Sequence, residues 1–174
     1  MSNKELLEFK EMSASDMYHM VHEIYAEASY ENAQYNHPEL VDLTAAIQEE
    51  EKYFMGFLQR FFEKEENTYY VLTVEDKWVS ALRLTKMDDF YYMESLETTP
   101  EYRKHGYAFE LINEVIDLLK QRGSVSIRSN VRKTNIASVE THKKCGFIIA
   151  EEQGKNYLTG TSRDDVYGML YTEK

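Results

Sequence analysis

The sequence predicts one α/β domain: a mixed, mostly antiparallel central sheet of about seven strands, flanked by about four helices. Three observations predict it. The β-like segments "TYYVLTV", "WVSALRLT" and "FYYMESLET" follow one another across hairpin-length turns, which reads as an antiparallel meander. Runs with helical periodicity lie on both sides of that meander. No repeat, linker or low-complexity stretch divides the 174 residues, so residues 1–174 are expected to form a single domain with a sizeable core.

Taken in order, "LLEFKEM" (6–12) reads as a first strand, and Ser13 or Ser15 can cap a helix running to about Ser29. "ENAQYNHPEL" is expected to break that helix, with Pro38 as punctuation. A second helical run covers about 40–65, apolar at Leu43, Ile47, Phe54, Phe57, Leu58 and Phe61, with a break expected near Gly56. Its glutamate-rich face reads as solvated. After the meander, Ala108, Leu111, Ile112, Val115 and Leu119 recur at spacings of three and four, predicting a helix from Gly106 to Gln121 that stops near Gly123. "SVSIRSNV" (124–131) reads as a strand, and "TNIASVETHKKCG" as a short helix begun by Thr134 or Asn135. "FIIAEEQ" and "DDVYGMLYT" read as two closing strands.

Composition narrows the function. The 43% hydrophobic and 29% charged content belongs to a globular chain, and no apolar run reaches the ~18 residues of a membrane helix. "MSNKELLEFKEM" lacks the apolar stretch of a secretory signal. Cys145 is the only cysteine, so no internal disulfide can form and a cytoplasmic setting is expected. A formal net charge of −11 disfavours general nucleic-acid binding and suits a cationic or amine substrate. No metal is expected. Residues 100–147 depart from this balance, with nine Lys/Arg against five Asp/Glu. A basic island in an acidic chain points to an anionic ligand there.

The island contains "PEYRKHGYAFE". A strand ending at Thr98, a turn and a helix opening at Gly106 make an anion site, because the first backbone N–H groups of a helix lack intrahelical partners and sit at the positive end of its dipole. Gly106 and Ala108 let a phosphate approach the backbone, and Arg103 and Lys104 can add charge-assisted contacts. The Gly-Lys-Ser/Thr ending of a Walker loop is absent, as are the first two glycines of the dinucleotide fingerprint.

Arg103-x-x-Gly106-x-Ala108 after "SLETTPEY", with "NIASVETHKKCGF" about 27 residues later, resembles the GCN5-related N-acetyltransferase (GNAT) family. The element order matches over nearly the whole chain. The resemblance implies acetyl-CoA as co-substrate and direct transfer of its acetyl group to a primary amine, of a small molecule or of a peptide. It places the pyrophosphate at Arg103, Lys104, His105, Gly106, Tyr107 and Ala108, mainly on backbone N–H groups. It sets the pantetheine arm against Leu96 and Thr98, beside a strand bulge whose freed N–H polarises the thioester carbonyl. Asn135 matches an asparagine that bonds the cofactor, and it can also cap its helix.

The family's usual tyrosine acid, four residues before the Gly-Phe pair, is His142 here. An imidazole can protonate or hydrogen-bond a leaving thiolate, or it can simply pack. For the base that deprotonates the amine, Glu94 and Glu97 are candidates. Strand alternation puts Glu94 with Tyr92, Leu96 and Thr98 and turns Glu97 away, which favours Glu94. Cys145 reads as buried and structural rather than nucleophilic. Tyr30, Tyr35 and His37 can line the acceptor's entrance. Two other readings stay open: a non-catalytic module holding CoA or acyl-CoA on this fold, and a different phosphate-binding α/β domain. The sequence leaves monomer and homodimer equally open.

Overall fold

Ser13 decides the first helix boundary in the computed structural model, which describes residues 3–123 and 125–173. Its hydroxyl accepts from Asp16 N–H at 3.1 Å and its own N–H donates to Asp16 Oδ2 at 2.9 Å, a complete capping box. Strand β1 (Lys4–Phe9) therefore ends earlier than the expected 6–12, and α1 (Ala14–His19) follows. The expected single helix is three pieces. A π-helical turn, Met20–Ile24, interrupts it, with Tyr25 N–H donating to Met20 O at 3.0 Å. Helix α2 (Ala26–Asn36) then runs past the expected end near Ser29 and stops inside the stretch expected to break it. It stops at His37 because the residue before Pro38 disfavours helical backbone.

Helix α3 (Thr44–Phe61) is shorter than expected at both ends and does not break at Gly56. Asp42 Oδ1 takes up the Thr44 N–H at 2.9 Å at its start, and Asn67 Nδ2 donates to Phe61 O at 2.7 Å at its end. Strands β2 (Asn67–Val74), β3 (Lys77–Lys86) and β4 (Tyr91–Thr98) form the meander. Glu75 and Asp76, both at positive φ, make the two-residue turn joining β2 to β3.

Helix α4 (Tyr107–Gln121), β5 (Ser126–Arg132), α5 (Ile136–Lys144), β6 (Ile148–Glu151) and β9 (Val166–Thr172) complete the expected order. The expected start of β5 at Ser124 lies outside the described residues. A two-residue hairpin, β7 (Gly154–Lys155) with β8 (Ser162–Arg163), was too short to show as a pattern. The main sheet has seven strands in the order β1-β2-β3-β4-β5-β9-β6, antiparallel except for β4 beside β5.

Two cores sandwich this sheet. Leu111, Ile112, Val115, Ile116 and Leu119 of α4 pack on Leu72, Leu82, Leu84 and Met93, with Val139 of α5 in the same cluster. On the other face Met20, Val21, Ile24, Leu58 and Phe61 pack on Tyr69, Val71 and Ala81. At ~25 cal/mol per Å² of buried apolar surface, these two faces are the main source of stability. They hold β4 between the two helical layers, and β4 carries the site. Among the described residues no helix is long and apolar enough to cross a membrane.

Candidate active site

The site begins with a defect in β4. Ser95 has φ +53, and the β3–β4 register slips between Arg83↔Glu94 and Ala81↔Glu97. This is a β-bulge: one extra residue that resets the alternation of faces. Arg83 and Ala81 share a face, so Glu94 and Glu97 share it too. The sequence expectation that Glu97 points away from Glu94 is therefore corrected. Leu96 packs on the α4 side, and Thr98 shares a face with Ser80, its hydroxyl 2.9 Å from that of Ser80. The bulge is held from outside the strand, since the buried Tyr25 hydroxyl donates to Ser95 O at 2.5 Å. Burial keeps that phenol protonated, so it stays a donor at any working pH.

Past the bulge the sheet opens. Strand β4 pairs with β5 only through Tyr91–Met93, leaving its C-terminal half against β3 alone. A cleft of about 860 Å³ fills the gap. It is lined by Leu96, Glu97 and Thr98 of β4, by the turn and first residues of α4, by the first turns of α5, and by Glu27 and Glu31 of α2.

The turn has the geometry of an anion cradle. Lys104 at φ +64 and Gly106 at φ +83 coil the backbone ahead of α4. The first helical bond runs from Glu110 N–H to Gly106 O at 3.0 Å, so the N–H groups of Tyr107, Ala108 and Phe109 precede any intrahelical acceptor. A Cβ added at Gly106 would meet nothing within 4 Å, because that side of the residue faces open space. Lys104 and Lys144 add positive charge to the lining.

The other expected residues divide. Leu96, Thr98, Arg103, Lys104, Gly106, Tyr107, Ala108 and Asn135 all line the cleft. Asn135 also caps α5, its Oδ1 accepting from Ser138 N–H at 3.1 Å. His105 is not among the lining residues; its ring lies 2.8 Å from Arg103 O through Nδ1 and stacks on Tyr107. The Arg103 guanidinium turns from the helix start onto carboxylates. Nη2 pairs with Glu27 and, at 3.0 Å, with Glu97, while Nε donates to Thr98 O at 3.0 Å.

Glu94 lies outside the cleft lining. Its Oε2 sits 3.4 Å from Arg83 Nε without a formed hydrogen bond, and that guanidinium packs over the Phe57 ring at 4.6 Å. Glu97 does line the cleft; burial pushes its carboxyl above the usual carboxylate range, and Arg103 pulls it back.

His142 is 1% exposed and is not among the cleft-lining residues, although Ser138, one helical turn before it, is. Its Nδ1 donates to Ser138 O at 2.8 Å, which leaves Nε2 a buried acceptor without a partner, and its ring meets Phe147 edge-on. Burial lowers its pKa, so the folded ring is neutral. The unfolded chain then binds the extra proton, and stability falls as pH drops below ~6.5. A His142→Phe variant is expected to show a shallower stability loss from pH 7.5 to 5.5 in urea titrations, by up to about 1.4 kcal/mol per pH unit. Parallel pH slopes for the two proteins would refute this placement. Cys145 is buried and its thiol is pushed up to about 12, which removes it as a nucleophile at neutral pH.

Among the lining residues that sequence reasoning missed are Glu27, Glu31, Tyr102, Phe109, Ser138 and Thr141. Glu27 looked like any polar position of an exposed helix face, and only the path of α2 past the end of β4 brings it to the cleft.

A parted sheet, a bulge and a coiled turn at a helix start define the class of the protein. The sequence profile described as "Acetyltransferase (GNAT) family" matches residues 18–147, and the chain belongs to that family. It is 28% identical over 75 residues to the [ribosomal protein bS18]-alanine N-acetyltransferase of Escherichia coli, a match spanning 43% of this chain and about half (51%) of that enzyme. It is 25% identical over 135 residues to N-alpha-acetyltransferase 30 of Schizosaccharomyces pombe, covering 73% and 89% of the two chains. Among solved structures it resembles the Thermoplasma acidophilum PaiA N-acetyltransferase in complex with coenzyme A, with TM-score 0.66 and 14% identity over 98% of this chain and 99% of that one. At that identity the likeness concerns the fold alone.

Proposed function

We propose that this protein transfers the acetyl group of acetyl-CoA directly to a primary amine within a ternary complex. The supporting observation is the cleft where β4 leaves β5, which the coiled turn at Gly106 and three carboxylates, Glu27, Glu31 and Glu97, line together. The N–H groups from Lys104 to Phe109 would hold the diphosphate. The pantetheine arm would run along Leu96 and Thr98. The bulge N–H would polarise the thioester carbonyl, where charge builds in the transition state.

Glu97 is the base in this reading, in place of Glu94, because it opens into the cleft, and burial raises its readiness to take a proton above that of an ordinary carboxylate. It takes one ammonium proton, the free amine attacks the carbonyl carbon, and the C–S bond breaks as the adduct's nitrogen gives up a second proton to solvent. The leaving thiolate is protonated by solvent, since His142 donates its one ring proton to Ser138.

Glu27, Glu31 and Glu97 suit a cationic acceptor: a polyamine, an aminoglycoside, or a peptide's lysine or N-terminal amine. The two curated relatives are named for alanine and N-alpha acetylation, which supports the peptide N-terminus among these. The lone buried Cys145 suits the reducing cytoplasm. Calorimetric titration with acetyl-CoA, followed by an acetylation panel of amines and peptides, tests the reading. Binding with turnover on an amine is expected. Binding without turnover would favour the non-catalytic module, and tighter binding of ATP than of acetyl-CoA would remove both.

A further inference from the structure

We propose that Arg103 is a positioning residue for the candidate base, shared between Glu97 of β4 and Glu27 of α2, so that Glu27 sets how much positive charge Glu97 receives. The proposal rests on Glu97 as base and asks what holds that carboxylate in place.

Geometry carries it. One nitrogen, Nη2, serves both carboxylates, while Nε is committed to Thr98 O at 3.0 Å, so the fork is fixed at the end of β4. The three residues come from α2, β4 and the turn before α4. The clasp therefore ties together three separate elements of the cleft wall. The Arg103 side chain is two-fifths exposed and the Glu97 side chain about a quarter exposed, 41% and 28%, so water can reach the group but does not dominate it. The other charged and titratable groups lining the cleft are Glu31, Tyr102, Lys104, Tyr107 and Lys144, with Tyr25 behind the bulge and the Arg83–Glu94 pair on the same sheet face. Only Arg103 touches Glu97 with an opposite charge among the described ion pairs.

The two partners of Arg103 pull in opposite directions. Removing the Glu27 charge frees the guanidinium for Glu97 and also removes a repelling anion, so Glu97 ionises more readily. Removing the guanidinium leaves Glu97 half-buried beside Glu27, so it ionises less readily.

The test needs no acceptor. In protein labelled with ¹³C at glutamate Cδ, the Glu97 resonance is identified by its loss in Glu97→Gln, and its midpoint is followed by NMR against pH. Glu27→Gln is expected to lower that midpoint, and Arg103→Met to raise it, each by about half a unit or more. Arg103→Lys should fall between Arg103→Met and the parent, because an ammonium keeps charge but loses the fork. Midpoints that stay put, or that move the same way in both variants, would overturn the clasp. The base reading is judged separately, by whether Glu97→Gln removes the acidic limb of kcat. One can thus fail while the other stands. Circular dichroism confirms that each variant is folded, and Glu27→Gln, at a partly exposed helix position, keeps the test open if Arg103→Met does not fold.

Discussion

Gly106→Val is expected to lose acetyl-CoA binding on the order of a hundredfold while remaining folded. Two effects separate cleanly at this position. Gly106 sits at φ +83, so any side chain there carries left-handed strain of roughly 1–2 kcal/mol. That corresponds to a Tm lower by ~3–6 °C in a chain of this size. Nothing in the protein crowds a Cβ at Gly106, so packing adds little to the loss. The branched side chain would instead stand in the cleft where the diphosphate must approach the N–H groups of α4. Losing one or two charge-assisted bonds of about 1.5–3 kcal/mol each gives the expected drop in affinity. Calorimetry with acetyl-CoA measures it, with thermal melts reporting the strain. A variant whose dissociation constant stays within about threefold of the parent would put the diphosphate elsewhere.

Glu97→Gln is expected to lower kcat by ~10²–10³ and to abolish the acidic limb of its pH profile, with acetyl-CoA affinity retained. A base must be deprotonated to act, so kcat in the parent rises with pH through the Glu97 pKa. Burial has raised that pKa, which moves the limb upward from the ordinary carboxylate position. Gln keeps the shape and loses the acceptor, so the limb should vanish rather than shift. Glu94→Gln is the paired control. Its partner is Arg83, packed under the α3 phenylalanines, so its effect should fall on the melting temperature. If the limb instead disappears in Glu94→Gln and survives in Glu97→Gln, the two roles are exchanged. Both variants are read on whichever amine the acetylation panel identifies.

The sequence carried the architecture because its signals are periodic and local. The meander was visible from β-branched and aromatic runs, and α4 from five apolar residues on one stripe. The turn could be read from Gly106 because the left-handed backbone there restricts residue type. Asn135 could be read as a cap because a helix start restricts residue type too, and its side chain does cap α5. The illegible parts depend on three-dimensional coincidence. The resemblance implied a bulge beside Leu96 and Thr98, but no residue type fixes it at Ser95, and without it the alternation rule sends Glu97 to the wrong side. The π-turn at Met20–Ile24 has no propensity signature either, although it places Tyr25 where it can grip Ser95. The Arg103 fork could be named from the motif, but not the carboxylates it would choose, because Glu27 is 76 residues away in sequence.

The extra residue in β4 also constrains how this gene can change in length. In a regular strand, losing one residue near the end shortens an edge and little more. Here, deleting Ser95 would restore strict alternation and rotate the next acidic side chain out of the cavity. It would leave Tyr25 without its acceptor in the same step. Descendants of this chain should therefore rarely show a single-codon loss at position 95.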